Sequence, residues 1–276
     1  MTGLSLSLAR GAVTSPFKRA GRPGAALPTG REVLPPAPIA PGPLAAYSRI
    51  CGFAEPGPLP LTYPHVLGFP LAMRLMTGRA FPLPVLGLVH TWIEITAHRV
   101  LQPTDEPDIT VYAAELTPHR RGTEVTMVTE ARLAGGLVWE SRSGYLSRHT
   151  TTTAAPPPAP ATRRELPAVA EWRLPTDLGR RYGAASGDRN PIHLHPVTAR
   201  LLGFPRHIAH GMWTVARCLA EAGGADGAES RIRSVRADFR APVLLPSTVT
   251  YAADDTGFQV RGGDRVHLTG SVTRGV

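Results

Sequence analysis

The feature that most limits how this chain can fold is a weak internal repeat. The phrase VLQPT at 100–104 has a counterpart in VLLPS at 243–247, which lies 143 residues further on. Upstream, PHVLGFPLAMRL aligns with RHIAHGMWTVARCL and pairs His65 with His207, an offset of 142 residues. Because nearly equal offsets recur in separate segments, the sequence predicts two copies of one supersecondary unit.

Composition sets the boundaries of the copies. A Thr/Ala/Pro tract at 149–164 would be extended and fairly stiff, so we predict a linker there between domains at 47–148 and 165–276. Residues 1–46 are rich in Gly, Pro and Ala, which predicts a poorly ordered or peripheral leader. Its arginines and serines, with no acid in the first 31 residues, also suit an organelle transit peptide, but it lacks the apolar stretch of a secretory signal.

The net charge of +9 comes from scattered arginines, since Lys18 is the only lysine. A diffuse positive field favours phosphate-bearing ligands or acidic carrier proteins, whereas a nucleic-acid groove would gather its arginines among aromatic residues. The apolar runs are too short to cross a bilayer. Cys51 and Cys218 lie far apart without a CxxC pair, so we expect a cytoplasmic protein without disulfides or a zinc knuckle.

Each copy is predicted to be one helix followed by an antiparallel meander. Between His210 and Ala222 apolar residues recur every three or four positions, as in a helix, and from Ile232 they alternate, as in a strand. The first copy has a similar helix near 66–77. Further strands are predicted near 86–98, 108–118, 122–134, 136–148, 247–254, 257–261 and 264–274. Two such α+β units can pair edge to edge into one sheet, which hides a strand edge.

The segment from Tyr182 to Met212, YGAASGDRNPIHLHPVTARLLGFPRHIAHGM, carries the candidate chemistry. It resembles the signature of the MaoC-like (R)-specific enoyl-CoA hydratases and 3-hydroxyacyl-thioester dehydratases. The matching residues are an aromatic residue, the S-G-D-x-N-P-x-H core and a small residue beyond it: Tyr182, Ser186, Gly187, Asp188, Asn190, Pro191, Ile192, His193 and Ala199. The later IAHGM and FRAPVLLP phrases match as well.

The resemblance covers both copies, because two-copy members of this family exist in which only the C-terminal copy is catalytic. It implies a double hot-dog fold, in which two antiparallel sheets merge and each wraps around a central helix. The implied reaction is reversible syn addition of water to a trans-2-enoyl thioester of CoA or acyl carrier protein, in fatty-acid or related acyl metabolism. No cofactor is implied, and the protein is expected to be a monomer or a homodimer.

Elementary chemistry supports the same residues. Hydration at C3 needs a base for the attacking water and an acid that protonates C2, and Asp188 and His193 are the candidate pair. Pro191 holds Asn190 extended, so the loop can turn both side chains into one pocket. Either member of the pair could be the base. Gly211, at a helix start, can offer its backbone N–H to the thioester oxyanion, and Ser186 and Asn190 are predicted to orient the loop or the water.

The first copy lacks the catalytic pair. Its segment from Tyr47 to Phe53 stands in place of Tyr182 to Asp188, so that Phe53 replaces the aspartate, and it has no counterpart of His193. We therefore predict one active site per chain, with the first copy supporting the fold and lining a tunnel for the acyl chain.

Three other hypotheses compete with this interpretation. His195, His207 and His210 form H-x-H and H-x-x-H patterns with His193, but no Cys or acid completes a zinc site, so no metal is predicted and His207 and His210 are expected to cap or pack. A hot-dog thioesterase would take a carboxylate from the central helix, where Trp213 to Leu219 supplies none. The third hypothesis, a non-catalytic acyl-thioester binding protein, also fits the sequence.

We expect one arginine near the motif or on the adjoining strand to bind a phosphate of the substrate. Each of these arginines could also be an ordinary solvated surface residue. The candidates are Arg189, Arg206, Arg236 and Arg240.

Overall fold

The computed structural model of the protein describes residues 18, 21, 24–151, 166–223 and 232–275. Most of the predicted linker and the first part of the predicted leader lie outside the described residues. The described strands are β1 Glu32–Leu34, β2 Val89–Ala97, β3 Asp108–His119, β4 Gly122–Leu133, β5 Gly136–Arg148, β6 Ala168–Leu174, β7 Ile232–Phe239, β8 Ser247–Ala253, β9 Gly257–Gly262 and β10 Arg265–Arg274. The described helices are α1 Pro41–Cys51, α2 Tyr63–Thr77, α3 Leu178–Ser186, α4 Pro191–Leu194, α5 Pro196–Leu201 and α6 Gly211–Gly223.

All ten described strands belong to one antiparallel sheet in the order β1-β3-β4-β5-β2-β7-β10-β9-β8-β6. The order is symmetric about the β2–β7 pair. On the two sides of this pair, β5 corresponds to β10, β4 to β9, β3 to β8 and β1 to β6. This is the predicted double hot-dog arrangement, with α2 and α6 as the long helices of the two halves. The expected edge-to-edge pairing of the two copies is confirmed.

The repeat is confirmed in the sheet but not at every position. β2 and β7 begin at Val89 and Ile232, 143 residues apart, as the repeated phrase requires. The pairing of His65 with His207 is wrong, because His65 lies inside α2 whereas His207 precedes α6. The loops before the two helices differ in length, so α2 and α6 start 148 residues apart.

Five described elements were not predicted from the sequence: β1, β6, α1 and the two short helices of the motif segment, α4 and α5. β1 has only three residues, and β6 follows directly on the Pro-rich tract, so neither stands out from its surroundings. α1 begins at Pro41, before the boundary predicted at residue 47. β1 lies at the edge of the sheet against β3, so the end of the predicted leader is ordered and peripheral.

α1 and α3 are matching helices of the two halves and contact each other through Tyr47 and Tyr182, whose ring centroids are 6.0 Å apart. Both helices end at a glycine in the left-handed conformation, Gly52 with φ of 85° and Gly187 with φ of 80°. A side chain is disfavoured at such φ values, which explains the shared glycine. The residue after each glycine is Phe53 or Asp188, which supports the sequence alignment of the two loops.

The β2–β7 pair is also the centre of the core. Ile93 faces Ala237 and Ile95 faces Val235 across the pair, and all four side chains are fully or almost fully buried. The side chains of one half therefore pack against those of the other through this seam, and neither half has a separate core.

Ile95→Ala is expected to lower the free energy of unfolding by about 2–5 kcal/mol, because it opens a cavity where the two halves meet. Val169→Ala is the control, since Val169 is 57% exposed on β6, and it should change the value by less than about 0.5 kcal/mol. Urea unfolding followed by far-UV circular dichroism and tryptophan fluorescence measures both. A shift confined to one of two resolved transitions would contradict the shared core.

Candidate active site

The Asp188 loop is held by short-range hydrogen bonds at the end of α3. The backbone N–H of Asp188 donates to Ser186 Oγ at 3.2 Å, and Ser186 Oγ donates to the Tyr182 carbonyl oxygen at 2.9 Å. Asp188 Oδ1 accepts from the backbone N–H of Asn190 at 3.1 Å. Asn190 in turn caps α4, because its Oδ1 accepts from the N–H of Ile192 at 3.3 Å. Ser186 and Asn190 thus fix the loop.

Two glycines of α3 let the loop lie directly on the helix. A Cβ at Gly179 would be 1.9 Å from the His193 carbonyl oxygen, and a Cβ at Gly183 would be 2.7 Å from the Asp188 carbonyl oxygen. Residues four apart share one face of a helix, so the backbones of both candidate catalytic residues rest on the same face of α3. Any larger residue there would displace one of them.

His193 is a buried residue of α4 with a defined tautomer. Its Nδ1 lies 2.8 Å from the Ile208 carbonyl oxygen. A carbonyl oxygen only accepts, so Nδ1 carries the hydrogen and Nε2 keeps the lone pair. The backbone N–H of Ile208 donates to the Ile192 carbonyl oxygen at 3.1 Å, which ties the segment before α6 to α4.

Asp188, His193 and His210 converge. One carboxylate oxygen and one ring nitrogen from each histidine lie within 4.8 Å of one another. The rings of His193 and His210 stack with centroids 3.7 Å apart. The Asp188 side chain keeps 26% of its surface exposed, while His210 keeps only 2%, so the carboxylate forms the open side of the cluster.

His210 was expected only to cap or pack, and the structure gives it a place in the site. Its Nε2 lies 2.9 Å from the Asp188 carbonyl oxygen and 3.9 Å from Asp188 Oδ2. Because Nε2 donates to that carbonyl, the lone pair of His210 lies on Nδ1, which has no partner within the described residues. Asp188 supplies the acid that the sequence argument against a metal found missing, so Asp188, His193 and His210 form a group that could hold a metal ion. The sequence feature that could have identified His210 as a site residue is its position next to Gly211. His195 instead caps α5, where its Nδ1 accepts from the N–H of Val197 at 3.2 Å, and His207 hydrogen-bonds the Thr176 carbonyl oxygen at 2.8 Å.

Burial governs the ionisation of the cluster. Desolvation raises the pKa of Asp188 above its usual value, although the nearby His193 opposes the shift. Desolvation also lowers the pKa of His193 below 6.5, against the opposing effect of Asp188. The pKa of His210 is lowered further by burial and by His193. At neutral pH the two histidines are therefore uncharged.

Gly211 is the first residue of α6, so the helix does not use its N–H, which stays available to a ligand oxygen. A Cβ on Gly211 would lie 2.7 Å from the ring of Phe239, so only glycine fits between this ring and the start of the helix. His210 lies next to Gly211 in the chain and touches Asp188, so the Gly211 N–H lies at the end of α6 nearest the cluster.

The four candidate arginines divide into two pairs. Arg236 binds Glu94 and Asp238, each at 3.4 Å, and Arg240 lies 3.7 Å from Asp238. Arg236 alternates along β7 with the buried Val235 and Ala237, so it lies on the outer face of the sheet, away from the site. The other two, Arg189 and Arg206, are exposed, and Arg189 adjoins Asp188.

The matching position in the first half is apolar. Phe53 is 7% exposed and lines a pocket with Pro64, Leu101 and Trp139. Phe53 stacks on Tyr47 with ring centroids 6.3 Å apart. An acid–base pair is therefore absent from the described residues around this pocket.

Fold and site together define a double hot-dog protein with a buried Asp–His–His cluster in its second half. A family model described as MaoC like domain matches residues 150–274. The chain is 38% identical over 236 residues to 3-hydroxyacyl-thioester dehydratase X of Mycobacterium tuberculosis, covering 84% of this chain and 82% of that protein. The chain belongs to the MaoC-like dehydratase family.

Solved structures agree with this assignment. HtdX from Mycobacterium tuberculosis superposes with a TM-score of 0.76 at 35% identity, over 89% of this chain and all of that chain. A MaoC-like dehydratase from Phytophthora capsici superposes with a TM-score of 0.70 over 91% of this chain and 95% of that chain. At 19% identity, the second match shows the fold alone.

Gly179→Ala is expected to lower kcat at least 10-fold without unfolding the protein, because the new methyl group displaces the His193 backbone by contact with its carbonyl oxygen. Gly42→Ala is a matched control. Gly42 is also the second residue of its helix, and a Cβ there meets nothing within 4 Å. Steady-state kinetics and melting temperatures measure both variants, and equal kcat values would contradict the packing role of Gly179.

Proposed function

We propose that the protein catalyses the reversible hydration of trans-2-enoyl thioesters to (R)-3-hydroxyacyl thioesters, and the corresponding dehydration. The observation that carries the proposal is the convergence of the Asp188 carboxylate with His193, whose Nδ1–H is held by Ile208 so that Nε2 keeps a lone pair. A carboxylate and a neutral imidazole can hold one water molecule between them and exchange protons with it. The family relative named as a dehydratase supports the same chemistry.

In hydration, the oxygen of the water bonds to C3 as its proton passes to the pair, and C2 receives a proton from the pair. The pair is unchanged after one turnover, and H₂O has been added across the double bond. Electron density that develops on the thioester oxygen is stabilised by the N–H of Gly211 and the start of α6. Dehydration runs through the same steps in reverse. Neither direction requires a metal or a cofactor.

The division of roles follows from the pKa directions. His193 is neutral at pH 7 and can take a proton at Nε2, while the raised pKa of Asp188 brings its carboxyl closer to the range in which it can also carry one. His210 donates to the Asp188 carbonyl oxygen and so positions the carboxylate. Its proposed role is to orient the loop.

The substrate carrier is CoA or acyl carrier protein. The net charge of +9 favours both, because each carries phosphate or acidic groups. Arg189 and Arg206 are exposed beside the catalytic loop and are the proposed phosphate contacts. Arg236 and Arg240 are not retained in this role, because both pair with acids on the outer face of the sheet.

We also place the protein in the cytoplasm, as a monomer or homodimer. Cys51 and Cys218 are both buried free thiols, which suits a reducing compartment. Within the part of the chain that the structure describes, no helix is both long and apolar enough to span a membrane.

The proposal is tested by mixing the protein with crotonyl-CoA, a short trans-2-enoyl-CoA. Hydration removes the absorbance of the conjugated enoyl group and releases no free thiol. Free thiol would instead show a thioesterase, and saturable binding without either change would show a binding protein. A thioesterase is disfavoured because the only carboxylate of α6, Glu221, is paired with Arg217 at 2.7 Å. A ladder of acyl lengths on both carriers then defines the substrate.

Asp188→Asn and His193→Ala are each expected to lower kcat at least 10³-fold, because each removes one member of the proton-transfer pair. Folding should survive in both.

Burial raises the pKa of folded Asp188, so the stability linked to its protonated form is present at low pH and lost as pH rises through the folded pKa. Asp188→Asn should therefore melt at a higher temperature than the wild type at pH 7.5. Retained turnover in either variant would overturn the assignment.

The acid side of the pH profile should report the pair. Activity requires neutral His193, whose pKa is lowered below 6.5 by burial. We therefore expect kcat/KM to be constant near pH 7 and to fall only when the pH drops below 6.5. A profile of kcat/KM between pH 4.5 and 8.5 measures this. If kcat/KM already began to fall above pH 7 as the pH is lowered, the result would contradict a buried, neutral imidazole.

A further inference from the structure

The outer surface of the catalytic segment exposes a group of large apolar side chains on and just after α5. Within the described part of the chain, seven large hydrophobic residues are exposed, and three of them lie here: Val197 at 54%, Leu201 at 81% and Leu202 at 39%. Val197 and Leu201 are four residues apart, so they share one face of the helix. A single exposed apolar residue is ordinary, whereas such a group marks an interaction surface. These three side chains form the α5 patch.

Hydrogen bonds fix α5 to the helix that carries His193. Thr198 Oγ1 donates to the Pro191 carbonyl oxygen at 2.7 Å, which folds α5 back onto α4. The N–H of Phe204 donates to the Ala199 carbonyl oxygen at 2.9 Å and closes the end of α5. His193 and Ala199 are the buried residues of α4 and α5. The α4–α5 unit therefore holds the candidate catalytic histidine on its inner side and presents the α5 patch on its outer side.

The α5 patch lies in a segment that is rich in arginine and almost free of acids. Between residues 178 and 210 the only acid is Asp188, and there are five arginines, all exposed: Arg180, Arg181, Arg189, Arg200 and Arg206. Arg180 donates to the Leu194 carbonyl oxygen at 3.4 Å, directly after His193 in the chain. Arg200 donates to the Pro205 carbonyl oxygen at 3.3 Å, at the turn that follows α5. Basic groups therefore adjoin both α4 and α5.

These five arginines are not neutralised by neighbouring acids. Within the described residues none of them forms an ion pair, whereas elsewhere Arg99 pairs with Asp105 at 2.8 Å and Arg142 with Glu115 at 3.0 Å. The catalytic segment thus carries part of the net charge of +9 as an uncompensated positive surface. Such a surface attracts an acidic partner and speeds its encounter with the protein.

The combination of apolar and basic groups distinguishes between the two possible carriers. Both CoA and acyl carrier protein hold the acyl group on a phosphopantetheine arm, so the proposed phosphate contacts Arg189 and Arg206 suit either one. The nucleotide of CoA needs basic side chains but no apolar surface on the outside of the site. An acidic carrier protein needs both, because a protein interface combines an apolar centre with a polar rim. A small interface is weak and transient, which suits a carrier that leaves after each turnover.

We infer that the acyl thioester is delivered by an acyl carrier protein that docks on the α5 patch, with the surrounding arginines as the rim of the interface. The inference rests on the proposed function and chooses between the two carriers that the proposed function allows. The phosphopantetheine arm enters beside Asp188, whose side chain is 26% exposed and forms the open side of the cluster.

The test compares kcat/KM for the crotonyl thioester of a stand-alone acyl carrier protein with kcat/KM for crotonyl-CoA. The wild type should prefer the carrier-protein thioester by at least about 10-fold, because only this substrate gains the interface. Leu201→Gln should lower kcat/KM for the carrier-protein thioester about 10-fold and leave crotonyl-CoA within about 2-fold, with an unchanged melting temperature. Val169→Gln is the matched control, because Val169 is 57% exposed on β6, and it should change neither value.

A second pair of variants tests the rim. Arg200→Glu should lower kcat/KM for the carrier-protein thioester at least about 5-fold, with a smaller effect on crotonyl-CoA, because it places a like charge opposite an acidic partner. Arg79→Glu changes the net charge equally at an exposed position after α2, and it should have an effect of less than about 2-fold. Equal effects of the two variants would mean that only the net charge matters, which overturns docking at α5.

The inference is also overturned if the wild type shows no preference for the carrier protein, or if Leu201→Gln affects both substrates equally. Binding to vesicles of anionic phospholipid, or a dimer, that Leu201→Gln abolishes would assign the α5 patch to a membrane or to a second copy, and would overturn it too. Failure of the proposed function is distinguishable, because the wild type would then hydrate neither thioester. Calorimetry with the carrier protein would still measure docking, and Leu201→Gln should weaken that binding about 10-fold.

Discussion

The antiparallel pairing of β2 with β7 is the constraint on which the rest of the structure depends. It merges two five-stranded halves into one ten-stranded sheet and buries Ile93 and Ile95 against Ala237 and Val235. A sheet edge in each half would otherwise expose unpaired backbone groups. The same pairing sets His90 against Phe239, so the seam that stabilises the fold also brings a residue of the first half against the ring on which Gly211 packs.

The two copies of the unit have diverged by changing the loop after one short helix. α1 and α3 both end at a left-handed glycine, but the next residue is Phe53 in one half and Asp188 in the other. In the second half Gly179 and Gly183 bring the loop backbone onto the helix, and Ile208 fixes the tautomer of His193. The backbone plan is thus shared, while the acid–base chemistry depends on a few side chains.

The cluster of Asp188, His193 and His210 carries a cost in stability that the proposed function requires. Asp188, His193 and His210 are packed together, and desolvation opposes the charged form of each. The pKa of the carboxyl is raised and the pKa of the neighbouring imidazole is lowered, so the two pKa values become more similar. Similar pKa values favour proton exchange between the two groups through one water molecule. The stability of the shared core allows such a site to persist.

The sequence by itself determined the duplication, the α+β double hot-dog fold and most strand positions, and it singled out Asp188 and His193 as the candidate pair, because hydrophobic periodicity and a dense local motif are written in adjacent residues. Its errors arose where local signals are weak: the three-residue β1, the start of α1 and the unequal loops that misaligned His65 with His207. Only the tertiary structure decided that His210 stacks on His193, that Arg236 faces outward and that His90 contacts Phe239. These contacts join residues far apart in the chain, and their geometry follows from strand register and helix packing, which no local pattern encodes.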